Sequence, residues 1–230
     1  HTLNRAICGN CSDHACSKFK HTALEWVGRE RSSEDLEQEV LLLASGWHDF
    51  GGVTFGGGEP TLQAAELLDC MERLKRHRIH TAFESNATTP EFPRAARCAD
   101  LTIADLKAGT PEVFRNCTGG DLNAVLEHLT EAVESVPVLL IRVPVITGMN
   151  DAPEELARMA EHLAKLHRRR LAVRSKPLDV EVLKLHHYGA PKYQALNRKY
   201  ELAGCPAPSP EILRQFEKTL AASGITLQRN

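Results

Sequence analysis

The chain has 230 residues, 42% of them hydrophobic, which is enough for one large domain or two small ones with a sizeable core and excludes disorder as the default state. Its 28 Lys and Arg stand against 30 Asp and Glu, a formal net charge of -2 without a dominant block of either sign, so charge makes no case for nucleic acid or an anionic membrane as partner. No apolar run approaches the roughly 20 residues of a membrane span, and His1-Thr2-Leu3-Asn4-Arg5 has no signal-peptide core, so a soluble, cytoplasmic protein is expected.

The first feature in chain order is a cysteine cluster. Of seven cysteines, Cys70, Cys98, Cys117 and Cys205 are scattered singly and read as buried structural thiols, whereas Cys8, Cys11 and Cys16 fall within nine residues. Cys8-x2-Cys11-x4-Cys16 offers three thiolates, with His14 between them. A zinc site using His14, three corners of a [4Fe–4S] cluster and simple free thiols all stay open.

From residue 32 onward the pattern alternates helix and strand. Ser32–His48 is predicted helical, with a Ser32/Asp35 cap and Leu36, Val40, Leu43 and Trp47 on its inner face. A strand is expected at Gly52–Phe55, a helix at Leu62–Arg76, a strand at Ile79–Glu84, a short helix near Pro93 and a strand at Leu101–Asp105. Asp121–Glu134 reads as helix and Val138–Ile146 as the longest strand. Asp151 is expected to cap a helix to about Leu166, with Glu154 in a capping box. The five Lys and Arg within His167–Pro177 read as a solvated loop, followed by a strand at Val180–His186, a helix opened by Ser209-Pro210 and a short strand at Ile225–Gln228.

This alternation predicts an α/β fold with a parallel sheet flanked by helices, whose ligands gather at the carboxyl ends of the strands. Polar residues stand there repeatedly: Gly56-Gly57-Gly58-Glu59-Pro60 after the first strand, Glu84-Ser85-Asn86 after the second, Asp105-Leu106-Lys107 after the third, Arg142 within the fourth and His186-His187 after the fifth. The glycines leave the backbone open to close approach, and Glu59 beside open carbonyls suits an ammonium group better than a phosphate; a tight turn with a helix-capping Glu is the alternative. Asp105 and Lys107 leave the strand on one face and either pair with one another or hold a zwitterionic ligand. At most one of His186 and His187 can face a site above the sheet. A guanidinium buried in an apolar strand needs a partner, which singles out Arg142.

These residues resemble a family. Gly51–Gln63, GGVTFGGGEPTLQ, is similar to the GGVTxSGGEPxLQ segment of the glycyl-radical-enzyme activating enzymes, pyruvate formate-lyase activating enzyme among them, a branch of the radical S-adenosylmethionine (SAM) enzymes. Ala104–Lys107, Thr118-Gly119, Ile141–Asp151 and Leu185–Tyr193 resemble further segments of that family in the same order, so the resemblance runs from about Cys8 to the C-terminus.

It implies an incomplete parallel (β/α) barrel of the radical SAM type over 32–230. Residues 1–31 would be the remnant of a ferredoxin-like Cys-rich insert, with Cys8, Cys11 and Cys16 as ligands of an auxiliary [4Fe–4S] cluster. It also implies an oxidoreductase that cleaves SAM reductively and abstracts hydrogen from a backbone glycine of a glycyl radical enzyme. Gly57, Gly58, Glu59, Glu84, Asn86, Asp105, Lys107, Arg142 and His186 would bind SAM. The implied partners are that enzyme and a one-electron donor such as flavodoxin or ferredoxin, acting on a monomer. The family's CxxxCxxC motif does not occur in the 230 residues, Gly56 replaces a Ser, and Ser17 follows Cys16 where the family has Pro. The expectation is therefore a piece of an activase without its first strand and cluster loop, inactive as such. A non-catalytic iron–sulfur electron-transfer module and a zinc-stabilised interaction domain are the rival readings.

Overall fold

The structure, a computed structural model, describes residues 2–3, 24–25, 28–47 and 51–228. These fall into two compact units, Arg31–Leu185 with Pro208–Asn230, and His1–Glu30 with His186–Ala207.

The larger unit is built on six strands, β1 (Gly52–Phe55), β2 (His80–Ser85), β3 (Leu101–Asp105), β4 (Leu139–Val145), β5 (Asp179–Lys184) and β6 (Thr226–Gln228). They lie side by side in chain order, all parallel, in a sheet whose two edge strands, β1 and β6, do not pair with each other. This is the parallel sheet that the alternating pattern predicts, open as the incomplete barrel that the resemblance implies. Helix α1 (Ser33–Ala44) precedes β1, and between the strands run α2 (Ala64–Arg76), α3 (Phe92–Cys98), α4 (Pro111–Thr118), α5 (Leu122–Ser135) and α6 (Pro153–Arg174). Short α7 (Ala190–Ala195) belongs to the smaller unit, and α8 (Pro210–Ala222) returns to the larger one.

The core lies on one face of the sheet. Leu139, Ile141, Val143 and Val145 of β4 are fully buried there, and Arg142 and Pro144 alternate with them on the other, half-exposed face. Met71, Val125, Leu129, Met159, Leu163 and Leu220 close over this core from the four helices α2, α5, α6 and α8, each worth about 1.5–3 kcal/mol of burial. Pro144 is tolerated in a central strand because the ladder to β3 ends at the Asp105–Arg142 pair, one turn of the pleat below it.

Several expectations change. The cap of α1 forms as expected, with Ser32 accepting from Asp35 N and the Asp35 carboxylate accepting from Ser32 N. Its inner face differs: Leu36 and Leu43 are exposed, and the buried residue is Glu37, which accepts from Arg73 at 3.0 Å and pairs with His77 at 2.8 Å. Those hydrogen bonds hold the Glu37 carboxyl below its ordinary pKa. Leu62 is exposed in a 3-10 turn, Pro60–Gln63, and α2 starts only at Ala64.

The largest correction concerns residues 167–177. Helix α6 continues through Arg174, and both His167 and Arg170 are buried. Arg170 donates to the carbonyls of Val133, Val136, Pro137 and Pro177, and Arg174 to those of Glu134 and Ser135. Two arginines thus satisfy the unpaired carbonyls at the end of α5, where a positive charge also meets the negative pole of the helix. At the start of α6 the Glu154 capping box is absent; Ala152 is the N-cap, and Asp151 accepts from Gly148 N at 2.8 Å instead. Helix α4 was not expected. Thr110 caps it through Val113 N, and Gly119, at φ 74°, ends it.

In the smaller unit Thr2–Leu3 pairs antiparallel with Leu24–Glu25. The strand expected to reach His186 stops at Lys184. His186 stacks on Tyr188 with centroids 4.5 Å apart, and Tyr200 meets His187 and Tyr193 at 5.7 and 5.1 Å. Cys8, Cys11, Cys16 and His14 lie outside the described residues.

Candidate functional site

The site is the open face of the larger unit, at the carboxyl ends of β1 to β4. After β1 the chain turns through Gly56, Gly57 and Gly58. Gly57 has φ +119°, a conformation that side chains rarely adopt, and an added Cβ at Gly57 or Gly58 would meet nothing within 4 Å. The backbone here borders open space on which a ligand could lie, continuous with a cleft of about 440 Å³ lined by Phe55, Gly56, Gly58, Glu59 and Leu62.

Glu59 takes the capping role that the sequence left as an alternative. Its carboxylate accepts from Thr61 N at 3.2 Å, from the Thr61 and Ser85 hydroxyls, and from Asn86 N at 2.8 Å. Four donors satisfy it, and they tie the glycine turn to the end of β2. Asn86 is likewise turned into its own loop, its side-chain carbonyl accepting from Thr88 N and the Thr88 hydroxyl. These two residues build the turn's shape, and the turn presents its backbone.

The next strand ends carry the charge. Lys107 donates to Asp105 at 2.6 Å, the internal pair that the sequence allowed, and both side chains keep about a third of their surface open (35% and 27%). Arg142 Nε donates to Glu181 at 2.7 Å and its Nη1 to Glu84 at 2.9 Å. Burial works against the Arg142 charge, but its hydrogen bonds to Glu181 and Glu84 outweigh it and hold the guanidinium above its ordinary pKa. The sequence demanded a partner for Arg142 and missed Glu181, although the alternation Val180-Glu181-Val182 places a carboxylate on the face that Arg142 shares, directly opposite it in the ladder.

Two further residues that sequence reasoning missed hold the β3 end in place. Asn150 donates to the carbonyls of Lys107 and Pro144, each at 2.7 Å, and accepts from Ile146 N. Buried Glu155 accepts from the N–H groups of Gly109 and Thr110 and from the Thr110 hydroxyl. The signal for Asn150 was its place in the Ile141–Asp151 segment; Glu155 carried none.

Of the expected site residues, then, the structure assembles Gly57, Gly58, Glu59, Glu84, Asn86, Asp105, Lys107 and Arg142 on one unit. His186 belongs to the other unit, and Cys8, Cys11 and Cys16 lie outside the described residues. Among the described residues no group of three or more His, Cys, Asp or Glu side chains is placed to hold a metal ion, and no helix is long and apolar enough to cross a membrane. An open glycine cradle beside opposed fixed charges suits a zwitterionic ligand with a cationic centre.

Residues 10–160 match the model of the Radical SAM superfamily. The chain is 26% identical over 224 residues to the 4-hydroxyphenylacetate decarboxylase activating enzyme of Clostridioides difficile (strain CD196), covering 95% of this chain and 68% of that protein. It is 26% identical over 199 residues to the pyruvate formate-lyase-activating enzyme of Streptococcus mutans, covering 83% of this chain and 73% of that one. Among solved structures, a domain of pyruvate-formate lyase-activating enzyme from Bacteroides vulgatus superposes with a TM-score of 0.60 at 24% identity, over 78% of this chain and 98% of that one, a likeness of fold.

Proposed function

The chain belongs to the radical SAM superfamily, and on that premise we propose that it serves as the SAM-holding α/β unit of a glycyl-radical-enzyme activating enzyme. SAM bound there would supply hydrogen abstraction from a backbone glycine of the partner enzyme, with the electron for its cleavage delivered by a [4Fe–4S] cluster and methionine released. The supporting observation is the convergence of the glycine turn, Glu84 and the Asp105–Lys107 pair at three successive strand ends with Arg142 of β4, the residue opposite Asp105. The curated relatives named above are activating enzymes of this kind.

The residues present fit SAM. The Gly57-Gly58 backbone is open for its amino acid portion, Lys107 offers an ammonium to the carboxylate, and Glu84 and Asp105 offer carboxylates to the ammonium, sulfonium or ribose hydroxyls. Glu59 and Asn86 act by shaping the turn, and a SAM-binding role for His186 rests on the resemblance alone. Among the described residues no group of three or more His, Cys, Asp or Glu side chains is placed to hold a cluster; Cys8, Cys11 and Cys16 are the candidates for an auxiliary [4Fe–4S] cluster. A cytoplasmic setting, a monomeric state and a flavodoxin or ferredoxin as electron donor complete the proposal.

Titration calorimetry of the purified chain with SAM tests it. The wild-type chain should bind SAM, and Gly58→Leu, which fills the cradle, should weaken binding by at least about tenfold with an unchanged circular dichroism spectrum. A wild-type chain that does not bind SAM, or a Gly58→Leu variant that binds it equally well, contradicts the assignment.

A further inference from the structure

We propose, resting on the SAM reading above, that Glu181 is a positioning residue for the site: it fixes Arg142, and through Arg142 it holds Glu84 beside the glycine turn as the carboxylate that recognises the ligand's cationic centre. Glu59, which the sequence singled out for that recognition, has its carboxylate filled by four donors from its own protein. Glu84 is free to take the role. It is 42% exposed, one of its oxygens accepts from Arg142, and the other lies 3.7 Å from where a Cβ on Gly56 would stand.

Glu84 is held through a chain of contacts that starts deeper in the sheet. Glu181 keeps only 5% of its side chain exposed, and its hydrogen bond to Arg142 Nε leaves Nη1 to span the width of β3 and reach Glu84 on β2. A buried ion pair contributes little net stability, since an apolar residue of similar volume often does as well. What Glu181 adds is direction and charge. It fixes the plane of a long, rotamer-rich side chain and cancels the Arg142 charge, so that Glu84 is not neutralised. The face then carries Glu59, Glu84, Asp105 and Glu181 against Arg142 and Lys107, a negative surplus that favours the sulfonium cation over its uncharged thioether, S-adenosylhomocysteine.

Two measurements on the full chain decide this. In calorimetry, Glu181→Gln, which keeps the shape and loses the charge, should weaken SAM binding on the order of tenfold and S-adenosylhomocysteine binding by less than about twofold. Equal weakening of both ligands marks a merely structural role and overturns the proposal, as does unchanged SAM affinity. In NMR of 15N-arginine-labelled chain, the Arg142 Nε–H signal, identified by its loss in Arg142→Lys, should exchange with solvent at least about tenfold faster in Glu181→Gln than in wild type. Unchanged exchange overturns the positioning role whatever binds. A wild-type chain that binds neither ligand while the exchange rate responds overturns the SAM reading and leaves the Glu181–Arg142 coupling established.

Discussion

Asn150, 1% exposed, uses both amide hydrogens and its carbonyl oxygen on three separate backbone groups. Two of these close the end of β4 and the third belongs to Lys107, so one side chain sets the distance between the Lys107 loop and Arg142's strand. Removing it strands two carbonyls and an N–H with no room for bulk water, and Asn150→Ala should cost about 2–4 kcal/mol in urea unfolding. Asn150→Asp should cost at least as much, because its carboxylate turns a charge toward the carbonyls of Lys107 and Pro144; an aspartate variant as stable as wild type contradicts this account. Site residues were legible in the sequence where chemistry and placement coincide: glycines and charges at strand ends announce themselves. Residues such as Glu155 and Glu181 were not, because their importance lies in partners far along the chain, 46 residues for Glu155 and Gly109 and 39 for Glu181 and Arg142.

At the scale of an element, α6 shows why charge alone misleads. From His167 onward its sequence predicts a loop, because a run of arginines usually means solvent, yet Arg170 and Arg174 are consumed by the carbonyls that end α5. The strands, by contrast, were placed within two residues by their apolar alternation, which is a local property. The same helix carries a titration. His167 is buried with its Nδ1 accepting from Leu178 N at 3.2 Å, and burial, with Arg168 nearby, holds its pKa below the ordinary histidine value of 6.5. The folded state resists protonation there and the unfolded chain does not, so the stabilisation from a neutral His167 is complete above pH 6.5 and is lost as pH falls from 6.5 through the lower folded value. Wild type should therefore lose more of its urea midpoint between pH 7.5 and 5.5 than His167→Gln, whose amide keeps an acceptor without titrating. Parallel declines in the two proteins would show that His167 does not titrate on unfolding.

For the molecule as a whole, the larger unit is discontinuous: 31–185 forms the sheet through β5, and the chain returns at Pro208 to add α8 and β6. That return is bound by more than its peptide link. Thr226 N donates to Leu178 O, the side-chain amide of Gln228 donates to Asp179, and Phe216, Leu220 and Ile225 are buried in the common core. Three such side chains supply roughly 5–9 kcal/mol of burial before ordering costs. Most side chains between His186 and Ala207 are exposed, so a protease has access to that stretch. Brief proteolysis there should yield two fragments that run apart in denaturing gels but elute together by size exclusion. The nicked protein should unfold in urea with one cooperative transition shared by far-UV circular dichroism and by fluorescence. If the C-terminal fragment separates without denaturant, α8 and β6 are appendages to the sheet, and the core closed by Leu220 against α6 does not depend on them.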